Sequence, residues 1–222
     1  MTVVAAAVVP GSPMLVPDVS TGAADELASL RVAADDAVRR LVEVGAEVLV
    51  VLASGTRAAY PHGSAGTFAG LGVALRVSLG DDVGEPPTLP LPLSIGAWLL
   101  ARVGGSTAVL TAGVTVDGDW SSPDVDTALL VVADGTACRT EKAPGAFDPR
   151  AQGYDDVISS ALAAGDGVSL RALDAGLGAE LHVAGLAAFG ALGALAGPWR
   201  AELLAHEAGH GVGSFVAFWE RA

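Results

Sequence analysis

The chain begins with an apolar run, residues 3–9, that has no polar position between its valines and alanines and stops at Pro10-Gly11. A run of small and β-branched residues without alternation is typical of a strand that is buried on both faces of a sheet. A second such run, residues 48–53, follows one amphipathic helix later and ends at Ser54-Gly55. Two buried strands joined by a helix form a βαβ unit, whose strands are parallel. The pattern therefore predicts an α/β/α protein with a central, mostly parallel or mixed sheet.

The rest of the hydrophobic pattern predicts further elements along the chain. Helices are indicated by apolar residues at helical spacing, and strands are indicated by short apolar runs between turn residues. The predicted helices are residues 22–44, 95–103, 154–164, 168–173, 181–196 and 199–205, and the further predicted strands are residues 73–79, 107–114, 127–133 and 212–219. Four prolines in residues 85–92 predict an extended connector. Because no repeat or linker interrupts this order, we expect one domain over residues 1–222.

Composition narrows the classes of function. The chain has 12 Lys and Arg against 25 Asp and Glu, a net charge of −13 that repels the phosphates of nucleic acids. Its one cysteine, Cys138, excludes an internal disulfide and is typical of a reducing compartment. The longest apolar run, residues 183–197, is shorter than the roughly 18 residues that a bilayer-spanning helix needs. We therefore expect a cytoplasmic protein with neither a nucleic-acid nor a membrane partner.

The loops after the buried strands hold the first candidate site. In open α/β sheets, ligands bind beyond the carboxyl ends of the parallel strands. We expect a cleft there for a small-molecule ligand, and the residues that we expect to line it are Gly11, Ser12, Ser54, Gly55, Thr56 and His62. His62 has a second interpretation, as a solvated loop histidine.

A third strand end carries Asp134 and, four residues later, Cys138. An exposed thiolate at a strand end is a candidate nucleophile. Asp134 would raise the pKa of that thiol, and Arg139 would lower it. The alternative is that Cys138 is a small, partly buried hydrophobic residue.

The sequence His206-Glu207-Ala208-Gly209-His210 matches the HExxH motif. On a helix, His206 and His210 would share a face and bind zinc, and Glu207 would activate a water molecule. Gly209 and Gly211 weigh against this, because each glycine costs a helix about 1 kcal/mol relative to alanine. The alternatives are a surface helix end with two exposed imidazoles and a different metal or ligand site that uses His210.

Five short motifs carry a family resemblance. They are Pro10-Gly11-Ser12-Pro13-Met14-Leu15-Val16-Pro17, Ala53-Ser54-Gly55-Thr56, Asp134-Gly135-Thr136-Ala137-Cys138, Ala143-Pro144-Gly145-Ala146-Phe147-Asp148 and Gly211-Val212-Gly213-Ser214. Their order and spacing resemble the class III extradiol dioxygenase superfamily, the LigB-like fold that also includes the Memo-type proteins. The resemblance covers most of the chain and implies a LigB-like α/β domain, of a superfamily that includes oligomers.

The same resemblance implies an Fe(II) site that this chain departs from. Enzymes of the family hold iron with two histidines and a glutamate, and a later histidine acts in acid–base catalysis. Those histidine positions correspond here to Gly11, to Gly55 or Thr56, and to Cys138, while Glu180 is a loose match to the glutamate. We therefore expect a LigB-like protein that has lost its iron and keeps a strand-end cleft for a small ligand. The alternatives are a zinc-dependent hydrolase that uses the HExxH motif and a non-catalytic subunit of a homo-oligomer.

Overall fold

The computed structural model describes residues 2–86, 88–104, 110–195 and 197–222. The described strands are β1 (Thr2–Val9), β2 (Val48–Ser54), β3 (Ala58–Tyr60), β4 (Ala65–Thr67), β5 (Arg76–Ser78), β6 (Leu110–Val116), β7 (Asp126–Val132), β8 (Trp199–Glu207) and β9 (Ser214–Arg221). The described helices are α1 (Pro17–Ser20), α2 (Ala28–Glu43), α3 (Leu91–Arg102), α4 (Arg150–Ala164), α5 (Gly167–Arg171), α6 (Ala175–Glu180) and α7 (Leu186–Gly193).

Seven of the described strands form one mixed sheet in the order β3-β6-β2-β7-β1-β9-β8, and β4 pairs with β5 outside it. The central strands β6, β2, β7 and β1 are parallel to one another. The outer strands β3, β9 and β8 each run antiparallel to a neighbour. The predicted α/β class with a central mixed sheet is therefore confirmed.

Two hydrophobic cores lie on opposite faces of this sheet, which explains why residues 3–9 of β1 are all apolar. Ala5, Ala7 and Val9 belong to a core shared with α2 and α3. Ala6 and Val8 belong to a core shared with α4 and α7. Successive side chains of a strand point to opposite faces, so a strand covered by helices on both sides needs apolar residues throughout.

The prediction of a helix over residues 199–205 is wrong, because this segment belongs to strand β8. Its alanine, glutamate and leucine residues favour a helix, but its backbone pairs antiparallel with β9, from Trp199↔Arg221 to Glu207↔Ser214. Tertiary pairing commonly overrides such weak local preferences.

Three other predictions need correction. The helix predicted over residues 95–103 begins earlier, at Leu91, and Ser94 is a buried residue within it. The helix predicted over residues 181–196 is replaced by the shorter α7, which follows a bond from Gly185 N–H to the Asp134 carbonyl. The strand predicted over residues 73–79 shrinks to β5 and lies outside the main sheet.

Parts of three predicted elements lie outside the described residues: 107–109 of the strand 107–114, residue 196 of the helix 181–196, and residue 87 of the connector 85–92. Within the described ranges, every helix is too short or too polar to cross a bilayer.

Candidate functional site

The carboxyl edge of the sheet brings together the segments that follow β1 and β7. These strands are parallel and in register up to Val9↔Val132, so the residues after them leave the sheet at the same edge. Gly11 and Asp134 meet there: a Cβ atom built on Gly11 would lie 3.2 Å from Asp134 Oδ2. Glycine at position 11 therefore lets the backbone lie directly against this carboxyl group.

Asp134 is the buried acid of this edge, only 9% exposed. The backbone N–H of Gly11 donates a hydrogen bond to the carboxylate. Its Oδ1 atom is buried and accepts no hydrogen bond from any residue that the structure describes. A buried polar atom without a partner is costly and calls for an explanation.

Burial raises the pKa of Asp134 to about 7. The Gly11 hydrogen bond favours the charged form and opposes this rise, whereas the charge of Asp155 adds to it. A carboxyl group with such a pKa exchanges its proton near neutral pH. It can therefore donate a hydrogen bond as an acid and accept one as a carboxylate.

A small cavity of about 30 Å³ lies beside this acid, on the α2 side of the sheet. Its lining residues are Pro10, Ser12, Met14, Leu15, Leu27, Leu30, Gly209, His210, Val212 and Ser214. Pro10 and Ser12 flank Gly11, and Ser214 forms a β-bridge with Asp134. A cavity of this size admits water. A larger ligand requires the segments 10–15 and 209–214 to move apart.

A second buried acid, Asp155 of α4, lies behind Asp134. It is fully buried, and both of its carboxylate oxygens accept hydrogen bonds. It accepts hydrogen bonds from the Thr136 backbone N–H and hydroxyl, both at 2.9 Å, and pairs with Arg139 at 2.7 Å. Gly135 and Gly213 lie so close to its carboxylate oxygens that neither has room for a Cβ atom. We call Asp155, Thr136, Arg139, Gly135 and Gly213 the Asp155 cluster. It connects the segment after β7 to α4 and to the start of β9.

Gly135 and Gly213 stand in two of the motifs that carry the family resemblance. The sequence motifs do not single out Asp155, and they do not identify Arg139 as the partner of this acid. Arg139 and Asp155 are 16 positions apart in the sequence, and the sequence pattern gave no sign that they are in contact.

The other strand-end residues are occupied by structural hydrogen bonds. The Ser12 hydroxyl accepts from the Met14 N–H at 3.4 Å and caps a 3-10 turn. The Ser54 hydroxyl accepts from the Ala188 N–H in the first turn of α7, at 3.1 Å. Gly55 N–H donates to the Val116 carbonyl, and the Thr56 carbonyl accepts from the Thr115 hydroxyl. Ser54, Gly55 and Thr56 therefore tie β2 to its neighbours.

His62 lies away from this edge. The strand β3 runs antiparallel to β6, so the chain after Tyr60 leads towards the start of β6. There His62 Nδ1 accepts a hydrogen bond from the Thr111 N–H at 3.1 Å. His62 is thus at the amino edge of the parallel strands, and its predicted place in the strand-end cleft is wrong.

Cys138 is 1% exposed, so the prediction of an exposed thiolate is wrong. Its thiol lies 3.5 Å from the carbonyl oxygens of Gly145 and Leu181. Burial raises the pKa of the thiol, and Asp148 and Asp155 raise it further. A nucleophilic cysteine needs a lowered pKa, so this environment matches the alternative of a small buried residue.

The HExxH motif is not helical. His206 and Glu207 end strand β8, and His210 has a left-handed backbone, φ 57°, in the turn Gly209–Gly211. The His206 ring stacks on Phe215 with centroids 4.6 Å apart. Because the zinc geometry of this motif depends on two histidines one helical turn apart, the predicted helical site of His206 and His210 is wrong.

The three polar side chains of this motif have separate environments. Burial lowers the pKa of His206, whose Nε2 has no hydrogen-bond partner within the described ranges. Glu207 accepts from the Ser29 hydroxyl at 2.9 Å. His210 Nε2 lies 3.5 Å from Glu26 Oε2. Glu207 is therefore bonded towards the start of α2 and is not paired with either histidine.

The carboxyl edge does not fit the Fe(II) that the family resemblance implies. Glycines stand at or beside the positions of the two histidine ligands, and Asp155 is already paired with Arg139. The described part of the chain contains no group of three His, Cys, Asp or Glu residues placed to hold a metal ion. Asp134 alone supplies one carboxylate, whereas an iron site of this class uses three protein ligands.

Comparison with known proteins adds no family to this geometry. The chain matches no protein-family model, and no curated protein is significantly similar to it.

Proposed function

We propose that this chain is a LigB-like α/β protein that binds a small ligand at the carboxyl edge of its sheet without the Fe(II) ligands of that superfamily. The observation that carries the proposal is the Asp134 carboxyl group, buried at the strand ends with an oxygen that no described residue bonds. Buried polar groups without a hydrogen-bond partner are rare in proteins, and buried acids with a shifted pKa are concentrated at functional sites.

The position of Asp134 supports a binding role. Ligands of open α/β sheets lie beyond the carboxyl ends of parallel strands, which is where β1 and β7 end beside Asp134. Of the two segments that cover it, residues 10–15 form a loop and a 3-10 turn with local backbone bonds, such as that from the Leu15 N–H to the Ser12 carbonyl. Residues 209–214 are held more firmly, because Gly211 and Gly213 make three backbone hydrogen bonds to the segment 135–139. Segment 10–15 can therefore open at a smaller free-energy cost than the strands beneath it.

The chemistry of Asp134 supports a particular class of ligand. With a pKa raised to about 7, the group is substantially protonated at neutral pH and donates a hydrogen bond from its O–H. The complementary ligand atom is an uncharged acceptor, such as a carbonyl or phenolic oxygen. A ligand anion would face repulsion from Asp155 and from the net charge of −13.

The first experiment tests the metal part of the proposal. Purified protein is loaded anaerobically with Fe(II) and, separately, with Zn(II), and its metal content and its cleavage of catechol are measured. We expect far less than one metal ion per chain and no ring cleavage. Stoichiometric iron together with ring cleavage would refute the proposal, and stoichiometric zinc lost in His210→Ala would favour a hydrolase.

The second experiment tests the binding part. Acetone, acetamide and catechol serve as probes that carry a carbonyl or phenolic oxygen, and amide chemical shifts follow their binding. We expect at least one probe to shift the amides of Gly11, Ser12 and Ser214, and we expect Asp134→Leu to abolish those shifts. The matched control is Asp156→Leu, at an exposed position, and we expect the probe-induced shifts to remain in this variant.

A further inference from the structure

The two edges of the main sheet differ in length. Strand β3 forms one edge with three residues, Ala58–Tyr60, and strand β8 forms the other with nine, Trp199–Glu207. An edge strand presents unpaired backbone N–H and C=O groups to any strand that approaches it, and proteins commonly keep such edges short. Strand β8 is therefore the part of the sheet that is best suited to pair with a second chain.

The ladder between β8 and β9 shows which backbone groups of β8 face outward. The Ala222 N–H donates to the Pro198 carbonyl at 3.1 Å, so the pair 198↔222 is a hydrogen-bonded pair. Because hydrogen-bonded and non-hydrogen-bonded pairs alternate along an antiparallel ladder, the pairs 200↔220 and 202↔218 are hydrogen-bonded as well. The residues between them direct their N–H and C=O groups away from β9, and these residues are Trp199, Ala201 and Leu203. No other backbone group of the described residues bonds to these outward groups.

The regular part of this edge is short. Pro198 precedes it, and a β-bulge interrupts the ladder between Leu203 and Ala205. A proline and a bulge are common features of protected edge strands, and each limits how far a pairing can extend. Residues 199–203 remain, and their outward groups allow about six backbone hydrogen bonds to an identical strand.

The side chains on this regular edge carry opposite charges. Arg200 and Glu202 are exposed and share the α2 face of β8, because Ala201 between them packs against the core on the α4 face. Glu202 pairs with Arg40 of α2 at 2.9 Å. Arg200 lies opposite Glu220 on β9, yet it makes no hydrogen bond or ion pair with any residue that the structure describes. The guanidinium of Arg200 is therefore available to a carboxylate on a second chain.

A two-fold axis through Ala201 makes this edge complementary to itself. When two copies of β8 pair antiparallel about that axis, Arg200 of each copy lies opposite Glu202 of the other in a non-hydrogen-bonded pair. Side chains of such pairs are neighbours, with Cβ atoms about 4.5–5.5 Å apart, and opposite charges there stabilise the pairing. Moving the axis by one residue to either side places Arg200 opposite Arg200 or Glu202 opposite Glu202. Charge therefore selects the register that is centred on Ala201.

We propose that this chain forms a symmetric dimer in which two β8 strands pair antiparallel about Ala201 and join the two main sheets into one. The assembly ends at two copies, because a two-fold interface uses the same surface of each copy and leaves no β8 edge unpaired. The net charge of −13 on each chain opposes association. Salt at physiological ionic strength screens charges beyond about 8 Å, so the adjacent pairs of Arg200 and Glu202 outweigh this distant repulsion.

Sedimentation velocity of the full chain at about 0.15 M salt measures this association. We expect the chain to be mainly dimeric at about 200 µM, because even an interface at the weak end of the specific range has a dissociation constant of micromolar order. A chain that stays mainly monomeric at that concentration overturns the proposal. Assemblies larger than a dimer overturn it as well, because the two-fold pairing is closed.

Charge reversal locates the interface. Arg200→Glu and Glu202→Arg each place like charges opposite one another, so we expect either variant alone to raise the dissociation constant at least about tenfold. An equal mixture of the two pairs an acidic edge with a basic one, and we expect it to dimerise with about the wild-type affinity. The control Arg171→Glu, at an exposed position on α5, changes the net charge equally and keeps the wild-type affinity. Wild-type dimerisation of Arg200→Glu, or a mixture that stays monomeric, overturns the proposal.

If Glu202→Arg does not fold, hydrogen exchange at about 200 µM replaces the mixture. We expect the outward amides of Ala201 and Leu203 to exchange at least about threefold faster in Arg200→Glu than in the wild type. The amide of Glu202, which bonds to β9 in both proteins, exchanges at the same rate in each. Equal rates for all three amides in the two proteins overturn the proposal.

Discussion

Two buried aspartates, Asp134 and Asp155, lie close together beyond the end of β7 and have opposite surroundings. Asp155 accepts three hydrogen bonds from Thr136 and Arg139, one of them within an ion pair. Asp134 accepts one from the Gly11 backbone, and its Oδ1 accepts none from the described residues. Each acid is at most 9% exposed.

The difference teaches that burial alone does not indicate function. A buried carboxylate whose oxygens are all bonded to the protein holds elements together, and its replacement affects stability. A buried carboxyl group with an unused oxygen costs stability in the folded chain, and it is available to a ligand or a proton. On this basis we assign Asp155 a structural role and Asp134 the candidate binding role.

The largest expected effect is the loss of the Asp155 ion pair. In Asp155→Ala, the partly buried Arg139 guanidinium, whose side chain is 14% exposed, loses its carboxylate, so we expect the free energy of unfolding to fall by about 3–5 kcal/mol. Urea unfolding at pH 7 measures the change. The neighbouring exposed residue provides the control, Asp156→Ala, for which we expect a change below about 0.5 kcal/mol. Equal losses in the two variants would remove the contrast between the aspartates.

The second effect is a pH dependence that belongs to Asp134. Its pKa in the folded chain, about 7, is above its ordinary value, so between about pH 4 and 7 the folded state binds a proton that the unfolded state has released. The free energy of unfolding then falls as pH rises through this window, by at most about 1.4 kcal/mol per pH unit. Asp134→Asn removes this contribution, so the variant is the more stable form at pH 8, and its advantage shrinks towards pH 5.

Urea unfolding of both proteins at several pH values from 5 to 8 measures this effect. Asp155→Asn serves as the contrast, because a fully bonded carboxylate is expected to lose stability on substitution at every pH in the range. Parallel curves for wild type and Asp134→Asn would mean that Asp134 does not titrate there.

A smaller effect tests how tightly the Asp155 cluster is packed. A Cβ atom at Gly213 would collide with the Asp155 carboxylate, so we expect Gly213→Ala to lower the free energy of unfolding by about 1–3 kcal/mol. Gly153 lies on α4 with open space around it, and Gly153→Ala is expected to stabilise the chain by up to about 1 kcal/mol. Thermal unfolding compares the two; a stabilising Gly213→Ala would show that the cluster is loose.

The smallest effect concerns the HExxH motif. His210 is exposed, and its contact with Glu26 is a surface pair of the kind that contributes little. We expect His210→Ala to change the free energy of unfolding by less than about 0.5 kcal/mol, as measured by urea unfolding. A loss of several kcal/mol would mean that this turn has a structural or metal-binding role that its geometry does not indicate.

Much of the sheet could be predicted because its strands are buried on both faces. An apolar run such as residues 3–9 contributes to two cores at once, and its length of seven residues favours a strand over a helix. Strand β8 could not be predicted, because its composition favours a helix and its state depends on pairing with β9. The same error affects the interpretation of His206 and Glu207. The HExxH motif can bind zinc only when it lies on a helix, and these two residues lie on strand β8.

The sequence placed Gly11 and Asp134 each at the end of a buried strand, but it did not show that the two residues meet. That contact depends on β7 lying next to β1 in the sheet, an order that only the structure shows. Whether the oxygens of Asp134 and Asp155 are bonded depends on Arg139 and Gly213, which approach from other elements. Sequence spacing carries no information on such contacts, so the two aspartates could not be distinguished before the structure.

The most direct test of this account is the titration of the Asp134 carboxyl carbon, followed by ¹³C NMR in the full chain and assigned with Asp134→Asn. The account predicts a midpoint near pH 7, set by burial and opposed by the single Gly11 hydrogen bond. A midpoint below about pH 4, the ordinary range of an aspartate, would contradict it.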